Sequence, residues 1–222
     1  MIERALLILS GYLIGSVSFA YLAGRLLRGI DLRKYGSGKL SGSNVYHHVS
    51  RPAIVLVGLL DIGKAVLPTW LGLQWELGLP TAVAAGLAAM IGHNWSLFLG
   101  FAGGRGLGSA GGMLLVVFYW GAFWMLAWVI LSRLAPKKAA APALLGVATL
   151  PILAYLLDYP LPTVWGCMGI LVIAILKRLE ANRDPLPAGS KRWSVLLNRL
   201  LLDRDIADFD AWMARTPQTD ET

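Results

Sequence analysis

Apolar residues gather into seven runs along the chain, about Ala5–Leu27, Pro52–Leu73, Pro80–Gly100, Gly106–Phe118, Trp120–Leu134, Ala139–Leu157 and Leu161–Leu176. A helix needs roughly 20 apolar residues to cross a bilayer, so this pattern predicts an all-α integral membrane protein. Gly106–Phe118 and Trp120–Leu134 are short for spans, which leaves one long, kinked helix over Gly106–Leu134, and six spans in all, as the competing count. The first run is too long for the apolar core of a signal peptide and no Ala-x-Ala cleavage pattern follows it, so it is expected to remain as a helix. Its Gly11, Gly15 and Ser16 form a small-residue face that lets a neighbouring helix come close.

Charge placement separates the two counts, because positive residues collect in cytoplasmic loops. With seven spans and the N-terminus outside, Arg25, Arg28, Arg33, Lys34, Lys39 and Arg51 fall in one inner loop and Arg105 in the next. Arg133, Lys137 and Lys138 then occupy a third, and the eight basic residues from Lys177 onward lie on the same side. The outer connections, around Gln74–Leu79, Tyr119 and Asp158–Pro160, hold no Lys or Arg. Six spans would put the Arg133–Lys138 cluster opposite the Arg25–Arg51 loop. The expectation is therefore about seven transmembrane helices with the N-terminus outside and the C-terminus cytoplasmic. Trp70, Trp75, Tyr119, Trp120, Tyr155 and Tyr159 fall at the outer ends as an interfacial aromatic belt.

Composition agrees, since 222 residues that are 56% hydrophobic and 15% charged carry more apolar surface than a soluble domain buries. In this setting the net charge of +7 records topology, and a nucleic-acid partner is not expected. The single cysteine, Cys167, sits in an apolar run and is assigned to packing. The three histidines, two of them adjacent at His47 and His48, make no zinc spacing, so no metal is predicted.

Three stretches stand out chemically. Gly92–Gly106 carries His93, Arg105 and five glycines where a plain turn needs none. Glycines allow backbone amides to approach a ligand and arginine offers a planar fork of donors, a combination suited to an anion; the alternative is that these glycines only let helices pack. The loop Asp31–Asn44 holds three glycines, three serines, an asparagine and three cations, which is a phosphate cradle in kind or else a basic loop against anionic lipid. Asp61 and Lys64, three apart in an apolar run, share a helix face and can pair, as a functional group within the membrane or as a structural ion pair near a helix end. His93 alone reads as a catalyst or as a hydrogen-bonded structural group. Trp95, Phe98 and Phe101 are expected to anchor the central loop at the interface.

Taken together, Ile14–Phe19, Asp31–Asn44, Asp61-x-x-Lys64 and Gly92-His93 through Gly103-Gly104-Arg105-Gly106 resemble, in order and spacing, the PlsY-type glycerol-3-phosphate acyltransferases. These are bacterial membrane enzymes that move a fatty acyl group from acyl-phosphate to the 1-hydroxyl of glycerol 3-phosphate, giving lysophosphatidic acid. The resemblance covers about Leu13–Ser109. It implies a multi-pass protein of the bacterial cytoplasmic membrane, with acyl-phosphate and glycerol 3-phosphate as its partners beside the bilayer and no cofactor beyond the donor. Carried over by motif, Ser37, Asn44 and His93 are the catalytic candidates. Arg105 and Lys64, with Gly36, Gly38, Gly103 and Gly104, are the phosphate-binding candidates, and Asp61, Lys39, Arg51 and His47 support them.

The chain reads as a diverged member. Lys39 stands where the family has asparagine, Ser41 replaces glycine, Ser43 replaces threonine, and His47 stands in place of an arginine for which Arg51, four residues on, can substitute. Ala65 and Ser96 replace a glycine and a proline, and Arg105 replaces lysine, which keeps the charge but turns a point charge into a fork. No Asp follows any histidine at the His-x4-Asp spacing, which disfavours the acyltransferases that use that pair as base; beside the resemblance, the expected route is substrate-assisted, with a phosphate oxygen taking the hydroxyl proton. Residues 1–178 form the membrane domain, and 179–222 a cytoplasmic tail longer than the family usually carries. Trp193, Leu196, Leu197, Leu200 and Leu201 predict an amphipathic surface helix there, ahead of the acidic Asp203, Asp205, Asp208 and Asp210. Two readings from other classes are a transporter for a small phosphorylated anion and a non-catalytic relative that binds a phosphorylated ligand.

Overall fold

A computed structural model describes residues 1–134, 140–181, 185–189 and 191–214, with backbone alone at 133, 209 and 213. Lys137, Lys138, Asn182, Arg183 and the chain beyond 214 lie outside the described residues, so the third basic loop of the charge argument is not seen. The helices are α1 (Ile2–Ser16), α2 (Phe19–Arg28), α3 (Gly42–His48), α4 (Ala53–Gln74), α5 (Leu79–Asn94), α6 (Leu107–Val117), α7 (Tyr119–Leu134), α8 (Ala140–Leu156), α9 (Leu161–Glu180), α10 (Lys191–Leu202) and α11 (Phe209–Met213). No strand occurs among the described residues.

Four helical stretches, Ile2–Arg28, Ala53–Gln74, Leu79–Leu99 and Leu161–Glu180, are long and apolar enough to cross a membrane. Leu107–Val117, Tyr119–Ser132 and Ala140–Leu156 are apolar but shorter. Leu6, Leu9, Leu56, Leu59, Leu126 and Ile130 face outward, as they do when the solvent is lipid.

Two breaks matter. The first apolar run divides at Val17 and Ser18, both extended, and the Ser18 hydroxyl caps α2 by accepting from the Tyr21 amide at 3.3 Å. The predicted small-residue face brings α1 against its neighbour. Gly11 meets Ala85 of α5 so closely that a Cβ there would lie 2.6 Å from its carbonyl oxygen, and Gly15 meets Ala89 in the same way. The second break, at the fully buried Phe118, makes α6 and α7 two helices rather than one kinked rod.

α5 is the centre, packed against α1, α4, α6 and α9. The core around it includes Val83, Met90, Met113, Leu114, Phe118, Leu150 and Ile170, and Cys167 is buried within it as a packing residue. The predicted tail helix is α10, which rests on α8 and α9. Beyond α10 the chain turns back toward the loop at the end of α5, where Asp203 meets Arg105.

Candidate functional site

The site grows from the end of α5. His93 and Asn94 close that helix, and the chain then runs through Gly103, Gly104 and Arg105 into α6. The Gly104 amide donates to the His93 carbonyl at 3.1 Å, folding the loop back on the helix end. No larger residue fits at Gly104, because a Cβ would collide with the His93 ring on one side and sit 2.6 Å from the Leu40 carbonyl on the other. Leu40 in turn donates its amide to the Gly103 carbonyl at 3.4 Å, which joins the two glycine-rich loops foreseen from the sequence.

On α4, Asp61 and Lys64 pair as their spacing requires, with Lys64 Nζ 2.9 Å from Asp61 Oδ1. Lys64 also donates to the Val17 carbonyl at 3.1 Å, a group in the non-helical link between α1 and α2. His93 Nδ1 lies 3.4 Å from the same Asp61 oxygen, without hydrogen-bond alignment, and Ser109 donates to the Asp61 carbonyl at 3.2 Å. Asp61, Lys64 and His93 are all buried. Such a group is tolerable in an apolar bundle only because each charge has a partner.

The first loop owes its shape to Asn44. Its side chain is fully buried, and Nδ2 donates to the carbonyls of Leu32, Tyr35 and Lys39 at 3.0 to 3.1 Å, so residues 32–39 wrap around one amide. Gly36 crosses the turn with φ of 54°, and a Cβ there would lie 2.7 Å from Asn44 Oδ1. Ser37 is half-buried and its Oγ accepts from the Lys39 amide at 3.3 Å. The Gly38 amide donates to the Tyr35 carbonyl at 3.0 Å. Gly38 and Gly104 thus direct their amides to backbone carbonyls, and the positive charge beside them comes from side chains.

Those side chains form a second cluster. Arg105 Nε is 2.8 Å from Asp203 Oδ1 and Lys39 Nζ is 2.9 Å from Asp203 Oδ2. Lys39 also donates to the Asp203 carbonyl, and Arg105 Nη1 to the carbonyl of Lys177. Arg178 of α9 adds a third positive charge acting on Asp203, while its fork donates to Leu200 at 2.8 Å and Ala140 at 3.0 Å. Burial, then the nearness of Arg105, brings the Lys39 ammonium down to about 7. Burial works against ionisation of Asp203, but Arg105, Lys39 and Arg178 outweigh it and hold the carboxyl at about 2.

The structure therefore brings Asp61, Lys64, His93, Gly103 and Gly104 to one point, with Ser37, Lys39 and Arg105 on the loops beside it. His47 and Arg51 are not brought there. Both are exposed, with the His47 ring edge-on to Tyr46 at 5.2 Å and the Arg51 guanidinium 5.4 Å from the same ring. Asp203 and Arg178 were not foreseen, since a pairing that spans 164 residues leaves no local trace.

The sequence model of the family described as Glycerol-3-phosphate acyltransferase matches residues 5–186. The chain belongs to this family. It is 33% identical to glycerol-3-phosphate acyltransferase 4 of Dehalococcoides mccartyi (strain CBDB1), over 95% of this chain and 93% of that one. The glycerol-3-phosphate acyltransferase of Shouchella clausii (strain KSM-K16) is 34% identical over 83% of this chain and 92% of its own length. The same fold is seen in the crystal structure of the glycerol 3-phosphate form of PlsY, an integral membrane glycerol 3-phosphate acyltransferase, with TM-score 0.75, 24% identity and coverage of 92% of this chain and 94% of that one. Within this acyltransferase, the family match ends at residue 186, so α10 and Asp203 lie beyond it, while the Dehalococcoides relative aligns over nearly the whole chain.

Proposed function

We propose that this acyltransferase moves a fatty acyl group from acyl-phosphate to the 1-hydroxyl of glycerol 3-phosphate, releasing inorganic phosphate and lysophosphatidic acid. One observation carries the reading: Lys39 and Arg105 stand on two bonded glycine loops beside the buried Asp61–Lys64–His93 group, a cationic site at the end of apolar helices. That arrangement suits a reaction between one soluble phosphate ester and one lipid-like acyl phosphate.

In the proposed step, Arg105 and Lys39 hold phosphate oxygens, with Lys64 and Ser37 adding charge and a hydroxyl donor. His93, steadied by Asp61, positions the attacking hydroxyl against the acyl carbon. The hydroxyl oxygen forms the new ester bond, the bond from acyl carbon to phosphate oxygen breaks, and a phosphate oxygen takes the hydroxyl proton. No metal or other cofactor has a part in this scheme. The acyl chain lies between helices, where each buried methylene contributes about 0.8 kcal/mol. The enzyme is read as a seven-span protein of the bacterial cytoplasmic membrane with its N-terminus outside. The loops Asp31–Asn44 and Gly92–Gly106 and the tail from residue 179 are then cytoplasmic, which the distribution of Lys and Arg supports.

The test is acyl transfer by the purified, detergent-solubilised protein supplied with palmitoyl-phosphate and labelled glycerol 3-phosphate. Turnover that is lost in Arg105→Ala and in Ser37→Ala supports the reading. A folded wild-type protein that binds glycerol 3-phosphate without turnover points instead to a non-catalytic relative.

A further inference from the structure

Asp203 occupies the place where the acyltransferase reading requires a substrate phosphate. Its carboxylate lies between Lys39 and Arg105 and is drawn by Arg178, one anion set against three cations. Its backbone is in the left-handed region, with φ of 57°, where aspartate is among the few residues tolerated. The 2.8 Å approach to Arg105 lacks hydrogen-bond alignment, which leaves Arg105 Nε and Asp203 Oδ1 without such a bond. This is an ion pair that is close but not geometrically completed.

The loop does not depend on this pair for its attachment. Two residues on, Asp205 receives a bidentate fork from Arg199 at 2.7 and 3.0 Å, and its carbonyl accepts from Asn198 at 3.2 Å. Arg199 is itself buried and donates to the Leu179 carbonyl at 3.1 Å, so the anchor ties the tail to α9. Arg204 satisfies the carbonyls of Ile206 and Ala207. The main anchor and the plug are therefore distinct: Asp205 holds the tail, Lys39 adds one bond to the Asp203 carbonyl, and the Asp203 carboxylate projects from the held tail into the cation cluster.

We infer that Asp203 is a specificity-determining residue of the phosphate site, an internal carboxylate ligand of Lys39 and Arg105, in the field of Arg178, that a substrate phosphate must displace. The exchange is reasonable in charge and geometry. A phosphate monoester brings nearly two negative charges and three acceptor oxygens to a cluster that a carboxylate serves with one charge and two oxygens. Monoanions that could enter an empty cationic site, such as chloride or a fatty carboxylate, gain too little to replace the tethered carboxylate. Asp203 thereby raises the threshold for occupancy and favours dianionic phosphate. The inference rests on the acyltransferase reading only for which molecule carries that phosphate, and the two substrates are the candidate sources.

The experiment has two arms on the full-length, detergent-solubilised protein. Calorimetric titration with inorganic phosphate and with chloride compares wild type with Asp203→Asn, and steady-state assays give KM for glycerol 3-phosphate and for palmitoyl-phosphate separately. Measured at about pH 6.5, on the acid side of the Lys39 titration, Asp203→Asn is expected to tighten inorganic phosphate binding about tenfold and to let chloride compete. It should also lower KM for the one substrate whose phosphate enters this cluster. Asp205→Asn, which loosens the anchor and keeps Asp203 itself, should move the same quantities in the same direction by a smaller factor, and it decides the matter if Asp203→Asn does not fold. Unchanged or weaker phosphate binding in the folded variants overturns the inference even if turnover is normal. Absence of turnover in wild type sinks the acyltransferase reading instead, and the phosphate titration still decides the role of Asp203.

Discussion

The molecule contains two clusters of buried charge that differ in where their anion comes from. In the inner one, Asp61 sits on the same helix as Lys64, one turn away, and receives His93 from the packed end of α5. In the outer one, Asp203 reaches Lys39 and Arg105 from a tail 164 residues further along the chain than Lys39. An anion built into a packed helix cannot leave without unfolding its surroundings, so the inner cluster is a fixed part of the scaffold. An anion on a loop can be exchanged for another, so the outer cluster is where a ligand can enter.

The sharpest way to break this contrast is to neutralise each anion in turn. Asp61→Asn leaves Lys64 buried without its counter-charge and should destabilise the protein by about 3–5 kcal/mol, the usual result of breaking a buried pair from one side. Asp203→Asn, on a loop that Asp205 anchors separately, should cost less, about 2 kcal/mol, which is what a carboxyl held at about 2 instead of its ordinary value contributes above about pH 5. Thermal unfolding of the two variants in the same detergent checks this. Similar losses in both would mean that the tail is as integral as α4.

Arg105→Ala comes next, because it removes the cation that both the tail and the proposed phosphate share. Loss of one charged partner at a largely desolvated site is expected to lower kcat/KM about 100-fold, with Arg105→Lys recovering part of it. His93→Gln belongs below these. If a phosphate oxygen is the proton acceptor, His93 only positions, and the variant should keep measurable turnover, reduced roughly tenfold to 100-fold. Abolished turnover with both substrates bound normally would make His93 the base.

The contrast also explains what could be read from the sequence. The inner cluster was legible because its parts are local: an i,i+3 pair in an apolar run, and a histidine at the head of a glycine loop. The close packing of α1 on α5 was legible for the same reason, through Gly11 and Gly15. The division of the first run at Val17–Ser18 was not, since no proline marks it and the link is instead held by contacts from Lys64 and from Ser96, which donates to the Ser16 carbonyl at 2.6 Å. Asn44 was singled out as a catalytic candidate, and the part its Nδ2 plays in shaping the loop was not foreseen, because the three carbonyls it binds are brought to it only by the folded turn. His47 and Arg51 were chosen by motif position, and His47 at the end of α3 and Arg51 in the turn that follows it both face the surface. The tail helix was visible in its spacing, but an acidic stretch reads as solvated until a buried cation is found opposite it, so Asp203 gave no signal.

The smallest effect expected is one of pH, and it bears on the outer cluster alone. Asp203, held at about 2, stays ionised throughout the range from about pH 5 to 9, whereas Lys39, brought down to about 7 by burial and by Arg105, changes charge within it. Phosphate binding requires the ammonium form. A group whose pKa is depressed in the free enzyme and restored by an arriving anion takes up a proton on binding at alkaline pH. KM for the phosphate substrate should therefore be lowest near neutrality and rise above about pH 7 by at most about tenfold per unit, with kcat at saturation little changed. Below about pH 6 the substrate loses its second charge and KM rises again. Lys39→Gln should remove the alkaline limb and keep the acid one. Asp203→Asn should do the opposite: without the carboxylate that favours its charged form, Lys39 loses its proton earlier, and the alkaline limb should begin at lower pH. A wild-type KM that is flat from about pH 6 to 9 would remove Lys39 from the phosphate site and leave Arg105 to hold it.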